Sequence, residues 1–345
     1  MYSVVEIAAW DQHGMAQSEA LLLQEGLRRD RNLEYTCGIF DDDGRLIACG
    51  SSFHNTLRCL AVASEHQGEG LLNLVVTHLL GKQMERGNSH IFLYTKEKYA
   101  RLFADLGFCK IAGVEGELVF MENRRDGFSR YLDALEKTKR EGKSAAIVMN
   151  ANPFTLGHRH LIQQAAAENG WVHLFLLSED AGPIPFSVRK HLVQRGIADI
   201  ENVILHDSGP YIISSATFPS YFFRDEDGAI LAHARLDLAV FSMIAAGIGV
   251  TVRYAGEEKF SHVSALYNRI MAEKLPEKGV EFREIPRLVL GGEIVSASTI
   301  RQAIHDGKLD RVASLLPQST LDYFESAEAA PVIAAIRAME EVRHY

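Results

Sequence analysis

The sequence lacks an excess of positive charge. Lys and Arg together number 36 against 45 Asp and Glu, and the formal net charge is −9. Proteins that bind nucleic acid without sequence preference need a basic face. The composition therefore argues against a nucleic-acid partner, although a few local Arg, Lys and backbone N–H groups are enough to hold an anionic ligand.

Long apolar runs are also missing. No window comes near the ~20 uninterrupted apolar residues that a membrane-spanning helix requires. The first residues show no basic segment followed by an apolar run, which is the pattern of a signal peptide. We therefore expect no membrane partner and a cytoplasmic location.

Cysteine is scarce, and all four cysteines lie in the first third of the chain, at Cys37, Cys49, Cys59 and Cys109. None forms a CxxC pair, and their spacing matches no zinc motif. An H-E-x-x-H pattern is absent as well. We expect buried free thiols and no metal site built by the protein.

The length of 345 residues predicts two domains, since one domain usually has ~150 residues. We place an α+β domain at 1–125, a charged linker with one short helix at 126–143, and a second domain at 144–345. The first domain alternates short strands with two amphipathic helices. Its predicted strands are Glu34–Phe40, Arg45–Phe53, Thr56–Ala63, Ile91–Thr95 and Cys109–Phe120, and its helices are Gly70–Glu85 and Lys98–Leu106.

From Ser144 onward strands and helices alternate regularly. Ala145–Met149 is almost entirely apolar, as in a strand buried on both faces of a parallel sheet. The pattern predicts a doubly wound, Rossmann-like α/β domain that binds ligands at the carboxyl ends of its strands. The predicted strands are Ala145–Met149, Trp171–Leu177, Val203–Leu205, Thr251–Ala255 and Val280–Ile285.

The segment Asn150-Ala-Asn-Pro-Phe-Thr-Leu-Gly-His158 joins the first of these strands to a helix. Gly157 lets backbone approach a ligand closely, and the helix N-terminus presents unpaired N–H groups that suit a phosphate. Thr155 and His158 add two side-chain donors. The segment resembles the T/H-x-G-H motif of the nucleotidyltransferase superfamily, which implies ATP contacts from Asn150, Asn152, Phe154 and Gly157. The alternative is a helix cap with a surface imidazole.

A second loop, Gly291–Arg301, also enters a helix. Ser296, Ser298 and Thr299 cluster hydroxyls where they can cap the helix or bind phosphate. The loop resembles the I-S-S-T-x-I-R signature of the same superfamily, with Val295 and Ala297 as departures. Ser298 and Arg301 lie on one helical face, so both can reach one triphosphate. Alone, the loop would favour the alternative of a capping motif followed by a solvated Arg.

Three weaker candidates lie between the two loops. Arg189 lies in the segment Pro185–Arg189, which precedes a helix, and its side chain either contacts a phosphate or lies on the surface. Gly256 and Glu257 end a strand at the ligand edge and are candidates to flank the adenine. Asp237 lies in an apolar helical run and needs a partner if it is buried.

The first domain carries a glycine-rich loop, His66-Gln-Gly-Glu-Gly70, between a strand and a helix. It resembles the acetyl-CoA loop of the GNAT acetyltransferases, with Leu72 as a departure. Phe103 and Gly107-Phe108 resemble a later segment of that family. The resemblance implies a GNAT-like fold and a CoA-like group held by Gln67, Gly68 and Gly70. No catalytic base is evident, so a scaffold or carrier-docking domain is the competing interpretation.

Over nearly its whole length the chain resembles the citrate lyase ligase family, above all at Val148–Leu161 and Val295–Arg301. That resemblance implies ATP, Mg²⁺ and acetate as reactants and acetyl-adenylate as intermediate. The acetyl group then passes to the thiol of a dephospho-CoA-type prosthetic group on the citrate lyase acyl carrier protein. His158, Thr155 and Arg301 are the implied catalytic residues.

Two other functions remain open from the sequence. The same loops serve an adenylyltransferase of the pantetheine-phosphate or nicotinamide-mononucleotide type, whose nucleophile is a phosphate. A nucleotide-sensing protein without catalysis would also retain the ATP site. The released products separate these alternatives from a ligase.

Overall fold

The computed structural model describes residues 2–180, 182–214, 218–223, 225–258, 261–340 and 342. The chain forms two compact units. The first contains Met1–Arg130 and Phe218–Ala239, and the second contains Tyr131–Thr217 and Val240–Tyr345. A segment placed by sequence in the second domain thus belongs to the first unit.

The first unit is an α+β structure, as predicted. Its strands form one seven-stranded sheet in the order β1-β2-β3-β4-β5-β7-β6. All neighbouring strands are antiparallel except β4 and β5. The elements are β1 Val5–Glu6, α1 Gln12–Gln24, β2 Tyr35–Phe40, β3 Leu46–Phe53, β4 Thr56–Val62, α2 Leu71–Glu85, β5 Phe92–Lys96, α3 Ala100–Asp105, β6 Cys109–Gly113, β7 Leu118–Glu122 and α4 Gly127–Glu136.

The parallel strands β4 and β5 separate soon after they begin to pair. Their register contains only Thr56 with Phe92 and Leu57 with Leu93. Two residues later Cys59 has a φ of +52°, and the register between β3 and β4 shifts at the same place. Such a bulge bends the strand and increases its twist. A gap therefore opens between the later parts of β4 and β5.

Two expectations for the first unit are wrong. The single strand predicted at Cys109–Phe120 is two antiparallel strands, β6 and β7, because the chain turns at Gly116, whose φ is +71°. Helix α1 was missed. Its buried residues include the small Gly14 and Ser18 beside Leu21 and Leu22, so its apolar periodicity is weak.

The second unit contains a five-stranded parallel sheet in the order β10-β9-β8-β11-β12, which confirms the doubly wound prediction. Its main elements are β8 Ser144–Met149, α5 Leu156–Glu168, β9 Trp171–Leu176, α6 Phe186–Gly196, β10 Val203–Asp207, the last part of α7 Glu226–Ile248, whose first part belongs to the first unit, β11 Val250–Gly256, α8 His262–Lys274, β12 Glu281–Ile285, β13 Val289–Leu290, β14 Glu293–Ile294, α9 Ala297–His305, α10 Gln318–Glu325 and α11 Ala330–Arg337.

The strand order of this sheet reverses beside β8. The chain runs outward through β9 and β10 on one side and through β11 and β12 on the other. One sheet face is covered by a core that includes Ile147, Leu174, Val252 and Tyr254. Open parallel sheets bind ligands beyond the carboxyl ends of the strands at such a reversal. The loop that follows β8 is therefore the place to look for a site.

Helix α7 alters the expectation about apolar segments. Its stretch Asp227–Ile248 is long and apolar enough to cross a membrane by length and composition, which the count of uninterrupted apolar residues did not detect. However, 67% of its most apolar stretch is buried inside the protein. A core position therefore explains its composition.

The cysteines are free, as expected. Burial raises the pKa of Cys37, Cys49 and Cys59 to about 12, so these thiols stay protonated at neutral pH. Within the described ranges, no group of three or more His, Cys, Asp and Glu side chains is placed to hold a metal ion.

Candidate active site

The loop after β8 ends in a reciprocal cap at the start of α5. Thr155 is the N-cap residue, and its hydroxyl accepts from the backbone N–H of His158 at 3.4 Å. In return, the backbone N–H of Thr155 donates to Nδ1 of His158 at 3.1 Å, and the Thr155 hydroxyl lies 2.9 Å from the same nitrogen. Because Nδ1 accepts a backbone N–H, the proton of the neutral ring lies on Nε2.

The surroundings of His158 keep its ring neutral. Phe154 is fully buried and stacks on the imidazole, with ring centroids 5.9 Å apart. Burial, with the positive charges of Arg287 and Arg301, lowers the pKa of His158 to about 4. At neutral pH His158 is therefore an uncharged donor through Nε2. The cap and the ligand role proposed as alternatives are compatible, because they use different ring nitrogens.

The second loop is capped in a similar way. Ser296 is the N-cap residue of α9 and accepts from the backbone N–H of Thr299 at 3.1 Å. Its hydroxyl also lies 2.9 Å from that of Ser298 and 2.8 Å from that of Thr299. Three hydroxyls therefore meet at one helix N-terminus, where the N–H groups favour an anion.

Two contacts bring the loops together. A Cβ atom added to Gly157 would lie 3.0 Å from the carbonyl oxygen of Val295, so the backbones meet where only glycine fits comfortably. Arg301 is buried, and its Nη1 donates to the carbonyl oxygen of Asn152 at 2.6 Å. The structure thus places the two sequence motifs side by side at the carboxyl edge of the sheet.

Asn152 is an unusual member of the first loop. The residue is only 3% exposed, yet neither its amide nitrogen nor its amide oxygen has a hydrogen-bond partner among the residues that the structure describes. A buried polar atom left unpaired costs about 1–3 kcal/mol. Gly182 lies against this amide, because a Cβ atom there would come within 1.9 Å of Nδ2. The unpaired amide is a candidate ligand contact.

Arg189 has a different environment from the one predicted. Its guanidinium is 1% exposed and donates to the backbone carbonyls of Asn150 at 2.8 Å, Leu177 at 2.9 Å and Ile184 at 3.1 Å, and also to that of Glu179. It lies neither on the surface nor free to meet phosphate. Arg189 therefore connects the loop after β9 to Asn150, the first residue after β8, through hydrogen bonds to their carbonyl oxygens.

Arg287 was missed by the sequence interpretation. It follows β12 by two residues, and its side chain is 20% exposed. Nε donates to the carbonyl oxygen of Glu257 at 2.8 Å, and Nη2 pairs with Oε2 of Glu258 at 2.5 Å. Its positive charge contributes, after burial, to the lowered pKa of His158. Gly256 was selected because it lies at the carboxyl end of a strand of the parallel sheet. Arg287 lies just beyond the end of the neighbouring strand, so the same criterion would have selected it.

Gly256 and Glu257 lie at that same edge. Gly256 is exposed and pairs with Ile285 at the end of β12, and the backbone N–H of Glu257 donates to the Ile285 carbonyl at 2.8 Å. The carbonyl of Gly256 accepts from the side chain of Asn268 at 3.0 Å. Asp237, the remaining weak candidate, is 1% exposed within α7 and has a partner in the protein.

The glycine-rich loop of the first unit lines a cavity of about 380 Å³. Gly68 and Gly70 have φ values of +91° and +79°, and Gly70 caps α2 without any side-chain hydrogen bond. Gln67 is exposed and lies 3.5 Å from the Val62 carbonyl. The later parts of β4 and β5 form two walls, at Leu60–Val62 and Tyr94–Lys96. The cavity therefore occupies the gap that the bulge opens.

Comparison with known proteins finds a matching family and several similar chains. The family profile described as citrate lyase ligase C-terminal domain matches residues 144–324. The citrate (pro-3S)-lyase ligase of Escherichia coli is 39% identical over 319 residues, which cover 90% of each chain. That of Haemophilus influenzae is 34% identical over 322 residues, which cover 91% of this chain and 96% of the relative. The ribosomal-protein-S18-alanine N-acetyltransferase structure from Escherichia coli is 15% identical over 35% of this chain and 92% of its own, with a TM-score of 0.28.

Proposed function

The chain belongs to the citrate lyase ligase family, and we propose that it activates acetate with ATP and passes the acetyl group to a carrier thiol. In the first step an acetate oxygen attacks the α-phosphorus, and pyrophosphate leaves as acetyl-adenylate forms. In the second step the prosthetic-group thiol of the citrate lyase acyl carrier protein attacks the acetyl carbon, and AMP leaves. The observation that carries this proposal is the contact of the two motif loops at one edge of the sheet.

His158 supplies a neutral hydrogen bond to the reacting phosphates. Its Nδ1 is held by Thr155, so Nε2–H is the group left to face a ligand. A pre-oriented donor aimed at developing charge is worth about 100–1,000-fold in rate. Acetate is already ionised at pH 7, so no general base is required for its attack.

The phosphates would rest on the two helix N-termini. The hydroxyls of Ser298 and Thr299 and the first N–H groups of α9 provide donors, and Arg287 provides the charge. Arg301 uses three N–H groups on the carbonyls of Asn152 and Val342. We therefore infer that Arg301 mainly positions the loops, whereas Arg287 is the better placed cation. Mg²⁺ would be held largely by phosphate oxygens.

The prosthetic group is proposed to enter the cavity of the first unit. Its phosphate suits the N–H groups at the start of α2, beside Gly68 and Gly70. Its amides suit the facing edges of β4 and β5 beyond Leu57 and Leu93, where these strands no longer pair with each other, since an extended ligand can pair with a strand edge. Gln67 lies beside the same loop.

The test is acetate-dependent ATP–pyrophosphate exchange, followed by release of AMP when deacetylated carrier is added. We expect His158→Ala to lower exchange at least ~100-fold. His160→Ala is the matched control on the same helix, because residues two apart face different sides, and it should retain exchange. Full exchange in His158→Ala would contradict the role of His158. Adenylate transfer to a phosphate acceptor, without acetate dependence, would contradict the ligase proposal.

A further inference from the structure

A second cavity lies beside the first in the first unit, and one aromatic side chain borders both. The second cavity has a volume of about 480 Å³, and its walls include Lys98, Glu117, Leu118 and Phe223. Lys96 and Phe222 line the first cavity as well as the second. Phe222 therefore lies where the two cavities adjoin.

The segment that carries Phe222 is firmly attached to the first unit. The backbone N–H of Arg28 donates to the carbonyl of Tyr221 at 3.0 Å, and the N–H of Phe223 donates to that of Ser220 at 3.1 Å. Tyr221 is 4% exposed and packs in a core with Leu27, Cys59 and Ala61. The rings of Tyr221 and Phe222 are 4.3 Å apart. Tyr221 and Phe222 thus form a fixed aromatic wall.

This wall and the glycine-rich loop both line the first cavity. Tyr221 packs with Leu27, Cys59 and Ala61 beside the β4 wall, whereas Gly68 and Gly70 follow the end of β4. An extended arm that has its phosphate at the glycines and runs along β4 would bring its thiol toward Tyr221 and Phe222.

We propose that Phe222 is a partition that limits the size of the group carried on the thiol of the arm. The first cavity then accepts a free thiol or an acetyl thioester and rejects longer acyl chains, which would have to pass through the Phe222 ring. This inference rests on the proposed entry of the prosthetic group into the first cavity. Shortening Phe222 would join the two cavities and give a longer chain a place to lie.

The experiment is calorimetric titration of the full chain with pantetheine 4′-phosphate as the free thiol and as its acetyl, butyryl and hexanoyl thioesters. The wild type should bind the hexanoyl compound at least ~10-fold more weakly than the acetyl compound, since overpacking of a tight site is unfavourable. In Phe222→Ala this difference should fall below ~3-fold. Phe223→Ala is the matched control, because Phe223 lines the second cavity only, and it should keep the wild-type discrimination.

Two results would overturn the partition: equal affinity across the series in the wild type, or unchanged discrimination in Phe222→Ala. Phe222→Leu serves if the alanine variant does not fold, and it should relax the discrimination partly. If the wild type binds none of the compounds, the proposed place of the arm is wrong and the inference with it. Acetate-dependent ATP–pyrophosphate exchange on the same samples reports separately on whether the ligase proposal survives.

Discussion

Nη1 of Arg301 donates to the carbonyl oxygen of Asn152 at 2.6 Å, across 149 positions of sequence. Its Nε and Nη2 donate to the carbonyl of Val342 at 3.3 and 3.2 Å. One buried guanidinium thus joins helix α9 to the loop after β8 and to the end of the chain. The motif predicts that Arg301 binds phosphate, whereas in this structure its guanidinium donates to backbone carbonyls of two other segments.

We expect Arg301→Lys to weaken both stability and activity. A lysine ammonium cannot reproduce the planar donor geometry that reaches the carbonyls of both Asn152 and Val342, and a buried carbonyl left unpaired costs about 1–3 kcal/mol. The free energy of unfolding should fall by about 2 kcal/mol, and kcat/KM for ATP in the exchange reaction should fall at least ~10-fold as the loops separate. Urea denaturation and exchange assays measure the two effects. Arg311→Lys, at an exposed position, is the control; an Arg301 variant with a raised KM but unaltered stability would instead indicate direct phosphate contact.

The positions of both loops could be predicted from the sequence, whereas the roles of the arginines could not. A buried apolar strand followed by Asn-Pro-Phe-Thr-Leu-Gly-His indicates a strand–loop–helix junction from local signals alone. Whether Arg189, Arg287 or Arg301 faces phosphate or carbonyl oxygen depends on which backbone lies above it, and this is decided by tertiary packing. The move of Phe218–Ala239 into the first unit likewise follows from burial of Tyr221 among residues distant in sequence.

Arg189→Lys should destabilise the protein without a specific effect on ATP. Four backbone carbonyls accept from this guanidinium, and an ammonium can satisfy only some of them. We expect the free energy of unfolding to fall by about 2–4 kcal/mol. The KM for ATP, measured at a temperature where the variant is fully folded, should stay within ~3-fold of the wild type. A large rise in KM in a stable variant would restore the phosphate role suggested by the sequence.

Arg287→Met should have the opposite effects, a loss of activity with ATP and little loss of stability. The side chain is partly exposed, so its removal should cost little stability, while loss of its charge should lower kcat/KM for ATP about 10–100-fold. The positive charge of Arg287 also contributes to the lowered pKa of His158. The pKa of His158 should therefore rise toward its ordinary value in this variant, as measured by NMR titration. Glu258→Gln, which removes the partner carboxylate but keeps the arginine, is the matched control, and it should not raise that pKa.

The pH dependence of exchange offers a test of the neutral imidazole. Because the pKa of His158 is lowered to about 4, the ring stays in its Nε2–H form from pH 8 down to pH 5.5. The kcat for exchange should therefore show no step near 6.5, the ordinary histidine value. A step near 6.5 in the wild type would contradict the assignment of a neutral ring to His158.

Thr155→Val removes one hydrogen bond to Nδ1 of His158 and the cap of α5, and should cost about 1 kcal/mol of stability. Thr155→Ser should restore both the hydrogen bond and the cap.

The last prediction concerns two histidines away from the proposed site. His173 on β9 is fully buried, and its Nδ1 lies 2.9 Å from Nε2 of His206 on β10, while its own Nε2 has no partner within the described part of the chain. Burial lowers the pKa of His173 to about 4, and burial together with His173 does the same for His206. The unfolded chain, with values near 6.5, therefore binds more protons than the folded chain between pH 6.5 and 4, and stability falls as the pH falls through this window. Between pH 7 and pH 5 each histidine should account for a loss of about 2 kcal/mol.

His173→Leu should remove the contribution of His173 to this loss of stability. Between pH 7 and pH 5 the free energy of unfolding of the variant should therefore fall by about 2 kcal/mol less than that of the wild type. Urea denaturation at the two pH values gives the difference directly. His191→Gln, a change at an exposed histidine, should follow the wild type. An equal loss in His173→Leu and the wild type would mean that the folded protein protonates His173 as readily as the unfolded chain does, and that burial does not lower the pKa of His173. Because His173 and His206 lie within the sheet that carries the loop of His158, acid should weaken the scaffold of the site before it protonates His158 itself.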